Sequence, residues 1–229
     1  MKRFLEIFFD QFSSQSSLTA GGENVGFFWM WILLAVGIIG LVITLERLLF
    51  LFRSNLMNPE KFMKKVFKLI HEGNFNKAKS ICDSAKPKLL PQVISEGLDF
   101  AKKSTENFSS RDLQDGIDMK MMEIMPKLQA RVSYINLIAN VATLIGLAGT
   151  IFGLIIAFDA VANAADHLKT QQLSSGISAA MGTTIAGLII AIPMNFFYTF
   201  ITNKTTAIID DIDEWSVKFI NSANRVNKS

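Results

Sequence analysis

The residues in this chain whose types and spacing could do chemistry are hydroxyls and amides set among glycines. Asn136, Asn140, Thr143, Leu147 and Thr150 recur every three or four residues, so a helix would place them on one face. Interleaved with them, Gly146, Gly149 and Gly153 form a small-residue stripe that lets another helix approach closely. A second segment, from Gly176 to Pro193, puts Ala180, Thr183, Thr184, Gly187 and Ala191 on a matching small and hydroxyl face. Pro193 frees a carbonyl and is expected to bend that helix. A polar seam of this kind inside an apolar helix faces a protein interior or a water-filled path. The competing reading is structural: each threonine bonds a carbonyl of its own helix, and the glycines only pack.

The elements that carry these faces have to be membrane helices. From Val25 to Leu45, from Val132 to Phe158 and from Thr170 to Asn203 there is no Asp, Glu, Lys or Arg. Each run exceeds the roughly 20 residues that cross a hydrocarbon layer of about 30 Å at about 1.5 Å per residue. Lipid supplies no hydrogen bonds, so a spanning helix satisfies its own backbone. A barrel strand would alternate apolar and polar residues, and these runs do not. Half of the 229 residues are hydrophobic, which soluble proteins also reach. The spacing of the charges decides. The fold class is an all-α integral membrane protein with three transmembrane helices and a helical cytoplasmic domain, the second and third spans extending into the cytoplasm.

Charge also sets the expected topology. Segment 53–131 carries fifteen Lys and Arg against ten acids, whereas the connector 162–175 carries one basic residue, Lys169, against one acid, Asp166. Cytoplasmic loops are the basic ones, so the long segment is expected inside and the short connector outside. The N-terminus is then outside the membrane and the C-terminus on its cytoplasmic side. The chain divides into a periplasmic amphipathic helix and link (1–23), the first span (24–52), the cytoplasmic helical domain (53–131), the second span (132–161), a periplasmic loop (162–174), the third span (175–203) and a cytoplasmic C-terminal helix (204–229). A net charge of +3 distributed in this way calls for no nucleic acid.

Local signals fill in the helices. Phe4, Ile7, Phe8 and Phe12 share a face over 2–13, as a surface-lying helix would have them, and 13–23 reads as a flexible Ser- and Gly-rich link. Asn58-Pro59-Glu60 opens a helix that Gly73 stops. A second helix is expected over about 75–85, with Pro87 and Pro91 punctuating the turn after it, and a third over about 92–103. Ser110 caps a long helix through Leu113, Ile117, Ile124 and Leu128, expected to run into the second span with Pro126 as the one point of bending. The third span is expected to emerge as a helix bearing Ile208, Ile212, Trp215 and Phe219 on one stripe.

Several chemistries find no residues here. The single cysteine, Cys82, excludes an internal disulfide and sits at apolar spacing with Phe75, Ala78 and Ile81, as a core residue would. With His71 and His167 the only histidines, no metal set is visible. No nucleophile–base pair or phosphate loop is present, so neither an enzyme nor a cofactor is expected. No carboxylate or histidine lies within the second or third run. A seam of hydroxyls without a titratable group cannot couple proton binding to movement and needs an acid from elsewhere.

Gly146-Leu-Ala-Gly-Thr-Ile-Phe-Gly153, followed by Phe158, resembles the second-span signature of the ExbB/TolQ/MotA proton-channel family. Gly176-Ile-Ser, Thr184-Ile-Ala-Gly-Leu and Ala191-Ile-Pro193 resemble its third-span signature. One span before the large loop is closer to ExbB and TolQ than to MotA. The resemblance implies a homo-oligomeric ring, of five subunits, around a single-span ExbD/TolR/MotB-type partner whose membrane-embedded Asp takes and releases a proton. It implies a motor that works on the cell envelope, most naturally for energised outer-membrane transport through a TonB-like or other periplasmic partner. Thr150 and Thr184 match the family's two pore-facing threonines, and Thr143, Thr183 and Asn140 add polar groups beside them. Two positions depart from the pattern. Thr143 stands where relatives have Pro after Ala142, and Ala179 where many have Glu; that Glu's role does not carry over. A sodium-driven or MotA-like stator subunit and a passive membrane scaffold remain the alternatives, since oxygen-rich seams also suit sodium.

Overall fold

A computed structural model of the chain describes residues 19–20, 23–55, 59–86, 88–103 and 110–227. Among these residues, seven helices account for nearly all of the structure: α1 (Val25–Asn55), α2 (Pro59–His71), α3 (Phe75–Ser84), α4 (Leu89–Lys103), α5 (Ser110–Gln129), α6 (Val132–Ala162) and α7 (Lys169–Asn227). Two-residue strands, β1 (Thr19–Ala20) and β2 (Glu23–Asn24), pair antiparallel with Thr19 opposite Asn24. The amphipathic helix expected over 2–13 lies outside the described residues, as do Asn58 and Pro87. Three helical stretches are long and apolar enough to cross a membrane. The all-α membrane fold expected from the charge-free runs is the fold observed.

The chain divides into two compact units, one of residues 1–45 and 133–199 and the other of 46–132 and 200–229. In the first, Met30 and Leu33 of α1 pack with Ala142 of α6 and Ala186 of α7, and Val36, Ile145 and Ile190 close around them. Approach is tight at Gly40, where an added Cβ would lie 2.9 Å from Ile138 Cγ2 and 3.2 Å from Met194 Sδ. Thr44 donates its hydroxyl to the Gly40 carbonyl at 2.7 Å, as a threonine in an apolar helix does when its own backbone is the nearest acceptor.

The second unit is a charged helical body with its own core. Helix α2 buries Phe62, Met63, Val66 and Ile70, and its Phe67 ring stands 6.2 Å from Trp215 and 6.5 Å from Phe219 of α7. The helix ends at Gly73, whose φ of 72° lies in the left-handed region that glycine enters without a Cβ penalty. Asn74 N–H then closes on the Leu69 carbonyl at 2.9 Å. Helices α3 and α4 are joined by the Lys79–Asp99 ion pair and by Ser95 donating to Asp83 at 2.6 Å. Cys82 is buried between such contacts, and burial pushes its thiol up to about 12. Helices α4 and α5 cross at glycines: a Cβ on Gly116 would lie 2.6 Å from Phe100 Cβ and 3.1 Å from Gly97 Cα.

Two local expectations are corrected. Helix α4 begins at Leu89 rather than after Pro91; proline fits the first turn because its missing N–H has no helical acceptor there. Helices α5 and α6 are not one continuous helix. The chain turns at Ala130–Arg131, with Ala130 N–H bonded to the Pro126 carbonyl at 2.8 Å and Arg131 at φ 61°. The interruption comes five residues after the proline, at a residue whose left-handed backbone costs about 1 kcal/mol. Its guanidinium reaches Glu46 at 2.5 Å. By contrast α7 runs unbroken through its 59 residues, about 88 Å at 1.5 Å per residue, so the third span does emerge as a helix, Pro193 included.

Candidate ion-path seam between two glycine-bearing helices

The glycine stripe on α6 meets the small face of α7 in the same chain. A Cβ added at Gly146 would fall 3.0 Å from the Thr183 carbonyl oxygen, and one at Gly187 2.6 Å from the Ala142 carbonyl oxygen. At Gly149 it would meet Thr183 Cβ at 2.9 Å, and at Gly153 Ala180 Cβ at 2.7 Å. Ala139, Ala142 and Ala157 are fully buried on the same side of α6. Glycine and alanine at these positions follow from membrane packing: lipid tails are as apolar as leucine, so contact depends on close backbone approach and hydrogen bonds.

Hydrogen bonds join the same surfaces. Thr184 Oγ1 donates to the Gly146 carbonyl at 3.0 Å, and Thr183 Oγ1 lies 3.3 Å from that oxygen and 2.8 Å from the Ala180 carbonyl. Thr183 is only 3% exposed. Thr150 donates to Leu147 O at 2.6 Å and Thr143 to Ala139 O at 3.1 Å. Each hydroxyl proton therefore has a main-chain partner. The oxygen lone pairs remain as acceptors, able to receive a bond from water or from a protonated carboxyl.

The sequence-derived residues thus fall into two groups. Gly146, Gly149, Gly153, Gly187 and Thr183 lie in the α6–α7 contact, with Thr184 bonded across it. Asn140, Thr143 and Leu147 are exposed on α6, with Thr150 half-buried at the border. Pro193 is exposed within α7. Periodicity had set glycines and polar groups side by side on α6; the structure turns the glycines inward and leaves Asn140 and Thr143 open. What sequence reasoning missed is the part of α1. Gly37 and Gly40 receive Ile190, Ile138 and Met194, and Thr44 reaches Met194 Sδ at 3.5 Å. Their three-residue spacing was the available signal. Among the described residues, no group of three or more His, Cys, Asp or Glu is gathered to hold a metal.

Comparison with known proteins accords with this geometry. The MotA/TolQ/ExbB proton channel family model matches residues 85–214, more than half of the chain. A biopolymer transport protein ExbB homolog of Methanothermobacter thermautotrophicus is 25% identical over 184 residues, covering 80% of this chain and 62% of that protein. ExbB of Aquifex aeolicus is 27% identical over 111 residues, 48% of this chain and 68% of its own. The Tol-Pal system protein TolQ of Haemophilus influenzae is 32% identical over 104 residues, 44% of this chain and 45% of its own. The match to the Methanothermobacter protein therefore spans about three fifths of that relative's length. Matched family, three apolar spans and a glycine-and-threonine seam agree: this chain is a multi-pass membrane protein belonging to the MotA/TolQ/ExbB proton channel family.

Proposed function

We propose that the chain is the ring subunit of a proton-motive-force-driven inner-membrane motor of the ExbB/TolQ type. Copies of it, five in number, surround the membrane helix of an ExbD/TolR-type partner whose Asp carries the proton. Movement of ring against partner does work on the envelope, energised outer-membrane transport being the favoured process. The N-terminus is periplasmic and the C-terminus cytoplasmic. The observation that carries this reading is the open face of α6: Asn140 and Thr143 are exposed beside Thr150 in a helix that lipid would otherwise surround. Polar groups so placed face another protein or a water path. No acid lies among 170–203 or 132–158, so the titrating group comes from the partner.

The hydroxyls act as follows in this reading. A protonated partner carboxyl donates to the free lone pairs of Thr150 and Thr184; once ionised, it accepts from the same hydroxyls after they turn off their carbonyls. Each exchange is worth on the order of 1–2 kcal/mol in a membrane setting. Thr150→Val keeps shape and removes only a bond within α6, so it tests chemistry apart from packing. Normal assembly with most motor output lost is expected, while Thr199→Val remains near wild type. Full output from Thr150→Val and Thr184→Val, each normally assembled, would leave the threonines structural and favour the scaffold reading. Output that tracks external sodium at constant pH would replace the proton by sodium.

A further inference from the structure

Burying an arginine is costly unless a carboxylate or a full set of hydrogen bonds goes with it. Arg47 of α1 is only 7% exposed. Its Nη1 donates to the Lys127 carbonyl at 3.3 Å, and its guanidinium carbon stands 5.5 Å from the centre of the Phe50 ring. Its Nε is buried with no hydrogen-bond partner among the described residues. Glu46 and Arg131 are the charged groups that act on it, and the Glu46 carboxylate is held by Arg131 at 2.5 Å. Lys127 turns its ammonium to Glu123, which Lys120 also uses. Two guanidiniums therefore share one carboxylate, and the lysine beside them is already paired. One positive charge is left over, and most of it is out of water.

The depth of that charge says what can neutralise it. The charge-free run of α1 ends at Leu45, and that of α6 begins at Val132. Arg47 and Arg131 thus stand where hydrocarbon gives way to headgroups. The Arg131 side chain is 56% exposed there and Phe50 39%, so the place is open to a ligand. An arginine fork matches phosphate oxygens in pairs, and basic spots at this level attract anionic lipids.

We propose that Arg131 binds the phosphate of an anionic phospholipid from the leaflet on that side, while the buried Arg47 supplies the uncompensated charge that holds it there. Phosphatidylglycerol is such a lipid. Phosphatidylcholine carries the same phosphate but cancels it with its own ammonium, which leaves the surplus standing.

The test uses the full-length protein in mild detergent, titrated with phosphatidylglycerol or phosphatidylcholine, with bound lipid per chain counted by native mass spectrometry. Phosphatidylglycerol should bind about tenfold tighter than phosphatidylcholine. Arg131→Gln should weaken its binding about fivefold, the worth of one basic residue near a charged surface. Arg47→Met, which keeps length and loses charge, should weaken it by about as much. Glu46→Gln enlarges the surplus and should tighten binding about twofold or more, which a purely structural ion pair would not do. Arg53→Gln, at an exposed arginine of the same helix, should leave binding near wild type. Inorganic phosphate in large excess should not displace the lipid; displacement would make the ligand a free phosphate and overturn the lipid assignment. Equal binding of the two lipids, or undiminished phosphatidylglycerol binding by Arg131→Gln, would overturn the proposal, whether or not Arg47→Met folds.

Discussion

The α6–α7 contact and the α4–α5 contact both close on glycines, yet they are built by different rules. At α6–α7 the glycines repeat along the helix, and what lies opposite is largely backbone: the Thr183 and Ala142 carbonyls and the Ala180 Cα. At α4–α5 there is one crossing, Gly97 on Gly116, set in a surround of buried Ile94, Leu98, Leu113 and Ile117. In water, burying those large side chains drives association, and glycine only lets the axes approach. In lipid that drive is absent, so a repeated close approach and hydroxyl-to-carbonyl bonds have to supply the stability.

The comparison can be broken by adding one carbon at a time. The largest loss is expected for Gly187→Ala, whose Cβ would sit 2.6 Å from a carbonyl oxygen that cannot rotate away; we expect about 3 kcal/mol, at the upper end for overpacking. Gly116→Ala meets Phe100 Cβ at 2.6 Å and should cost about 2 kcal/mol. Gly97→Ala meets chiefly Ile117 Cγ1, a side-chain atom that can move, and should cost about 1 kcal/mol. Unfolding of the detergent-solubilised protein measures all three. If Gly97→Ala proves costlier than Gly187→Ala, the distinction between backbone and side-chain neighbours fails.

Acid sharpens the contrast. The Ser95 hydrogen bond, then Lys86 and Lys79, hold the Asp83 carboxyl below its ordinary 3.8. A lowered folded-state value means that the contribution is complete above 3.8 and fades as the pH falls below it. Lys79, raised above 10.5 by its hydrogen bond to Asp99, contributes up to that pH and loses its contribution above it. Protection of the amides in α3 and α4, taken relative to the intrinsic exchange rate at each pH, should therefore fall below about pH 4, whereas that of 170–195, without a titratable side chain, should hold. An equal loss of protection in both would remove the contrast. The smallest effect belongs to Arg131→Gly. Relief of the left-handed backbone gains up to about 1 kcal/mol, and loss of the exposed Glu46 pair returns up to about as much. A net shift beyond about 1 kcal/mol either way would show that the turn bears more than these two terms.

The spans were legible because Asp, Glu, Lys and Arg are missing from three long runs, a signal that needs no neighbour to interpret. The faces of α6 were legible too, since Gly146, Gly149 and Gly153 keep helical period. Which helix fills the stripe was not: period gives a direction on one helix and says nothing of what stands there. The turn at Ala130–Arg131 left no mark, because neither residue is a breaker and the Glu46 that holds Arg131 lies 85 positions away. Pro91 misled by being read as punctuation, although the first turn of a helix tolerates it. Gly97 and Gly116 sit on separate helices, and only their crossing makes them matter.

The link between α6 and α7 is short, Asn163 to Leu168, and Thr183 and Thr184 find Gly146 across it. The two helices can therefore enter the bilayer as a hairpin in which the polar groups of one strut already satisfy those of the other. An isolated third span would carry Thr183 and Thr184 with only its own turns to accept them. Insertion as a pair shields both from the hydrocarbon, so the few atoms that hold the seam together also ease its entry into the bilayer.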